Sequence, residues 1–183
     1  MRLLPILAAA TLFAAQPLSA RAVRGNGVPA APKSGVRAEL INDFDDVSKK
    51  LLQLAAAVPP GKYAWRPGRG VRSVSEVYMH IAGGNYFAAA AISGKPPASG
   101  ADTLEQITEK SRVIDELRKS LDLLRTAMIN TQDADLDRTI RMFGSDTTVR
   151  GAFLTALTHL HEHLGQSIAY ARMNGVAPPW SGM

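Results

Sequence analysis

Apolar residues return at steps of three and four along four stretches of the chain, and each stretch carries its own stop. The first runs from about Arg37 to Val58, with Leu40, Phe44, Val47, Leu51, Leu54 and Val58 on one face and Pro59-Pro60-Gly61 behind it. The second opens at Ser73, an N-cap type with Glu76 three residues on, and runs to about Ser93, ahead of Gly94 and Pro96-Pro97. The third is expected from Asp102 or Thr103, with Gln106 closing the box. In it Ile107, Ile114, Leu121 and Met128 step by seven, and Leu117 and Leu124 fill the seam. The fourth spans about Thr148 to Asn174, with Gly175 as its stop. No stretch alternates convincingly as a strand; Arg138 to Gly144 can form a short extended piece between the last two helices. This pattern predicts an all-α fold, a four-helix bundle.

The first 22 residues follow a different rule. Arg2 precedes an apolar run from Leu3 to Ala15, and Ala20-Arg21-Ala22 has the small-x-small form of a cleavage site. The run is too short for a stop-transfer helix. The expected organisation is a secretory signal over 1–22, a flexible Gly/Pro/Ala-rich leader over 23–36 and the bundle over 37–181. Export to the periplasm or medium follows, with no stable membrane insertion after cleavage. Losing Arg2 and Arg21 lowers the formal charge of +5 to +3.

Composition narrows the chemistry. With 183 residues, 46% hydrophobic and 20% charged, the chain suits one globular domain. Cysteine is absent, which removes disulfides, thiolate metal sites and cysteine nucleophiles. No long basic run stands out and the aromatics are not interleaved with Arg or Lys, so the positive charge reads as solvation and not as a nucleic-acid footprint. Apolar residues of the first helix (Leu40, Ile41, Leu51, Leu52) spread over a wide arc, which points to a homodimer.

The chain has four histidines, and three lie within five residues: His159, His161 and His163. At about 100° per residue His159 and His163 share a face one turn apart, while His161 looks about 160° away. Ala152, Ala156, Ser167 and Tyr170 share the side of the pair. Thr158, Glu162, Gly165 and Arg172 mark the solvent arc, with His161 at its edge. An i, i+4 pair can hold a divalent metal through two imidazoles, but a third ligand must come from elsewhere, from His80 or a carboxylate. His80 faces inward on the second helix, and Gly83 and Gly84 follow it. Glycine inside a helix costs about 1 kcal/mol against alanine, so room is being made there. The H-L-H-E-H string is not the H-E-x-x-H zinc-protease motif, because Gly165 stands three after Glu162.

Two stretches together resemble the DinB-like family, metal-binding four-helix bundles that include YfiT-type metal hydrolases and thiol-dependent transferases. Tyr63 to Phe87 is similar to the family's Trp-Arg-Pro turn followed by a helix with an inward His. His159 to Ser181 is similar to its last helix, with H-x-x-x-H, a following Gly-Gln and a Pro-Pro-Trp end. The resemblance covers roughly 37–181. It implies that His80, His159 and His163 bind one divalent transition metal, zinc or nickel foremost. Glu162 stands where many members have a His, and Leu164 where many have an Arg.

The expected function is therefore divalent-metal binding, with a metal-dependent hydrolase of a small molecule first. A non-catalytic metal- or ligand-binding bundle and a thiol-dependent transferase are the alternatives. Asn85, Tyr86, Glu162, Gln166 and Tyr170 are the candidate helpers. Trp65 and Trp180 are read as structural plugs. Metal affinity is expected to fall as pH drops through about 6.5, where imidazole takes up a proton.

Overall fold

The computed structural model describes residues 30–96 and 101–182. The expected signal, and half of the expected leader (23–29), lie outside the described residues. Val36, the last leader position, is already helical, and Ala31 packs on the core.

Four helices make the body: α1 (Val36–Ala57), α2 (Val74–Ser93), α3 (Lys110–Asn130) and α4 (Val149–Met173). Each of α1 and α2 packs against both α3 and α4, which sets α1 diagonal to α2 and α3 diagonal to α4. Phe44, Leu51 and Leu54 of α1, Met79 and Ile81 of α2, Leu117 and Met128 of α3, and Phe153 and Leu160 of α4 are fully buried between them. No described helix is long and apolar enough to cross a membrane.

The ends follow from local chemistry. Val58, the α1 C-cap, is extended at φ −67, ψ 126, as a residue before proline is pushed to be. At α2 the capping box forms: Ser73 N–H donates to Glu76 Oε2 at 2.7 Å, and Glu76 N–H donates to Ser73 Oγ at 3.3 Å. Gly94 ends α2 in the left-handed conformation, φ 65. Thr148 caps α4, its Oγ1 accepting from Gly151 N–H.

The third helix starts later than its pattern indicates. Residues Ala101–Gln106 form a 3-10 turn, and α3 begins only after Glu109, whose carboxylate accepts from the N–H groups of Ser111 and Arg112. Lys110 Nζ ties that start to α1 through the carbonyls of Ala56 and Val58. Ile107 therefore lies outside the helix, Ile114 is only half-buried, and the seam runs through Val113, Leu117, Leu121, Leu124 and Met128.

The extended piece between the last two helices is half of a hairpin. β1 (Thr139–Met142) pairs antiparallel with β2 (Ser145–Thr148), Thr139 opposite Thr148 and Met142 opposite Ser145. Phe143 and Gly144 make the two-residue turn with φ 51 and φ 79. Ring stacking at 4.6 Å joins Phe143 to Phe87 of α2, so the hairpin tip leans over the bundle.

The bundle itself covers half of the arc that pointed to pairing. Ile41 and Leu51 are buried, and Leu40 and Leu52 are partly buried against the core. Both tryptophans are partly buried against the core, Trp65 edge-on to Tyr170 at 5.4 Å.

Candidate metal centre

Helix α2 carries His80 and helix α4 carries His159 and His163. The two helices are neighbours, and the three rings meet between them with centroids 4.5 to 5.1 Å apart. One nitrogen from each ring lies within 4.8 Å of the others. His80 Nε2 and His159 Nε2 are 3.2 Å apart. Two nitrogens each 2.0–2.1 Å from one tetrahedral ion would be separated by about 3.4 Å, so this spacing suits a shared metal.

Gly84 creates the space. A Cβ built there would lie 2.6 Å from His159 Cε1 and 3.0 Å from Nδ1, closer than packing allows. His159 can swing toward His80 because residue 84 has no side chain. Gly83 serves a different contact: its Cβ would meet Leu104 of the 3-10 turn at an ordinary 3.9 Å.

The ring of His163 is oriented from behind. His163 Nδ1 lies 2.8 Å from Gln166 Oε1, which only accepts, so Nδ1 carries the proton and Nε2 keeps its lone pair. Gln166 Nε2–H donates in turn to the Tyr170 hydroxyl at 3.1 Å, and Tyr170 rests on Trp65. This is the outer support that metal-bound imidazoles characteristically have.

The DinB superfamily profile matches residues 43–167, more than half of the chain. The chain belongs to the DinB superfamily. Among solved structures, a DinB-like protein from Bacillus cereus ATCC 10987 aligns at 16% identity with a TM-score of 0.67, over 76% of this chain and 93% of its own. A conserved protein from Enterococcus faecalis aligns at 14% identity and 0.64, over 76% and 97%. The DinB-like protein YjoA of Bacillus subtilis aligns at 22% identity and 0.61, over 75% and 92%. No curated protein matches the chain. At these identities the neighbours speak for the shared DinB fold.

In this DinB-superfamily bundle two of the three histidines, His159 and His80, are held toward the neutral form by their surroundings. Burial holds the His159 pKa down at about 4, with His163, His80 and Arg72 adding positive-charge repulsion. Burial also lowers that of His80, reinforced by Arg72 and His163 and opposed by Glu105 and Glu162. Neutral imidazole is the form that ligates. Three convergent imidazole nitrogens, a cleared path at Gly84 and an oriented His163 together fit a divalent transition-metal ion.

The other sequence candidates divide. His161 stays out of the cluster: it is exposed, its Nδ1 donates to Leu157 O, and its Nε2 lies 3.6 Å from Asp43. Gln166 reaches His163 directly, and Tyr170 stands one hydrogen bond behind it. Glu162 is exposed at the edge of a pocket beside His159. Tyr86 turns away, its hydroxyl donating to Glu116 on α3, and the Asn85 amide donates to Ser120. Two contributors escape the sequence reading. Glu105, on the 3-10 turn, lies 3.7 Å from His80 Nδ1 and is held by Arg72 at 3.0 Å. The hairpin tip, Met142 and Phe143, walls the pocket. Glu105 falls in a stretch whose pattern reads as helix, and the hairpin's one sequence signal is the Gly144 after a short extended piece.

Proposed function

We propose that the chain is a metal-dependent hydrolase of small molecules, acting outside the cytoplasm, with His80, His159 and His163 holding one divalent transition metal. The observation that carries this reading is the convergence of three imidazole nitrogens across the α2–α4 seam at a spot kept open by Gly84. Bound there, such an ion supplies a Lewis acid and a water of lowered pKa at neutral pH. The chain's own residues set the geometry. Gln166 fixes the tautomer of His163, Glu105 faces Nδ1 of His80, and burial keeps His159 unprotonated. No side-chain nucleophile is required.

A pocket opening directly beside His159 favours the enzymatic reading over a closed, non-catalytic metal site. The test is metal content by elemental analysis of purified protein, followed by a screen of neutral esters and amides. One equivalent is expected in the unaltered protein and in His161→Ala, with most of it lost in His80→Ala, His159→Ala or His163→Ala. Stoichiometric metal in His159→Ala would sink the assignment. Full metal with no hydrolysis of any ester or amide would leave a binding protein.

A further inference from the structure

The pocket beside His159 lies between α2, α4 and the hairpin tip and has a volume of about 210 Å3. That is below the roughly 300–1,000 Å3 of pockets that enclose larger ligands, so its scale is one ring or a short branched chain. Ala88, Ala156, Met142 and Phe143 supply apolar wall, and His159 forms one side. Among the described residues lining it, Glu162 carries the one formal charge, and neither Lys nor Arg takes part.

Phe143 is the unusual element. It is 72% exposed, the most exposed large hydrophobic among the described residues. It also sits at φ +51, a left-handed conformation that bulky side chains adopt rarely and at a steric cost. A two-residue turn of this kind favours Asn-Gly, and an Asn here would remove both the strain and the exposed ring. Stacking on Phe87 fixes the ring at the mouth. Strain and exposure held together at one residue, beside a pocket walled by His159 of the three-histidine cluster, point to a functional position.

We infer that this pocket is the substrate subsite of the proposed hydrolase, selecting a small, uncharged, largely apolar ester or amide whose ring or branched chain packs against Phe143. The inference rests on the metal reading for its chemistry and on the pocket for its selectivity. Apolar wall and the Glu162 carboxylate disfavour an anionic body, and the polar group of the bound molecule is left facing His159.

Binding can be read without turnover. Benzamide, acetamide and benzoate are titrated into EDTA-treated protein and followed by amide chemical shifts. Benzamide is expected to move Ala88, Phe143 and Thr158, acetamide to move them little, and benzoate to bind more weakly than benzamide. Phe143→Gly relieves the backbone strain, so thermal stability is expected to hold while benzamide affinity falls about five-fold or more. Benzamide shifts elsewhere, such as in the separate groove that Ala89 and Ala90 of α2 and Leu123 of α3 line, would overturn the inference. So would equal binding of benzoate, or unchanged affinity in Phe143→Gly. A cobalt(II) arm separates the two readings. Cobalt held by the histidines should broaden the bound benzamide signals, and cobalt held without that broadening overturns the subsite. If benzamide binds in the pocket and no cobalt is retained, the ring-selective pocket stands and the metal reading fails.

Discussion

At residue scale the site depends on one missing methyl group. In Gly84→Ala the helix gains about 1 kcal/mol of propensity. The added Cβ displaces the His159 ring, which it would otherwise meet at 2.6 Å. The expected outcome is a protein that melts no lower than the parent but binds zinc at least about ten-fold more weakly, the cost of disturbing a ligand's support. Calorimetric titration beside a thermal melt checks both halves. Protonation gives a second test. Unfolded histidine takes a proton near 6.5, whereas folded His159 does so at about 4 and folded His80 below its ordinary value. Between those limits the unfolded chain binds more protons. Metal-free stability is therefore full above about 6.5 and declines as pH falls toward about 4. Urea midpoints of EDTA-treated protein at several pH values should show this slope, and His159→Ala should flatten it. The same shifts move proton competition for the metal below the 6.5 expected from free imidazole. The three-histidine cluster was legible, because helical phase separates His161 from the pair and the glycines flag crowding at His80. Glu105 was not, because a contact across the bundle from a 3-10 turn leaves no periodic trace.

At element scale the boundaries read well where a side chain caps the backbone. Ser73 and Glu76 exchange both bonds of their box, so Ser73→Ala is expected to lower stability by about 1 kcal/mol, visible as a shifted urea midpoint. Because His80 lies two turns into the same helix, the metal affinity of that variant should change little. The α3 start misled because two cap-like signals lie close together. Thr103 with Gln106 has the form of a box, yet the stretch closes as a 3-10 turn with Ile107 N–H donating to Leu104 O. Glu109 then caps the helix through two backbone N–H groups, an arrangement the Ser/Thr-based box rule does not cover. The hairpin was half-legible. A short extended piece over Arg138 to Gly144 is readable without convincing alternation, but Ser145–Thr148 carries no apolar residue and is defined by pairing alone.

At the scale of the whole molecule, two expectations concern parts of the chain's life beyond the fold. A mature chain beginning near Val23 is expected in the periplasmic fraction, and N-terminal sequencing that finds Met1 on cytosolic protein would end the export reading. Pairing rests on Leu40 and Leu52, the half-buried members of the α1 arc, since Ile41 and Leu51 are consumed by the core. Light scattering that shows a dimer in the parent and a monomer in Leu52→Arg is the expected result.

His80 and His159 touch across 79 positions of chain. A pair so far apart in sequence cannot come together on a nascent or extended polypeptide; closing such a loop waits on collapse of the bundle. The isolated i, i+4 pair on α4 offers only two donors before that moment. Three imidazoles do not discriminate sharply among zinc, nickel, copper and iron(II). If the proposed ion is bound, its identity would thus be decided by place and time, by which cation is available where the chain completes its fold, more than by the ligand set. Protein refolded from urea in nickel alone should emerge with nickel, and in zinc alone with zinc. On the proposed reading, the seam between α2 and α4 would then record the compartment in which folding ended.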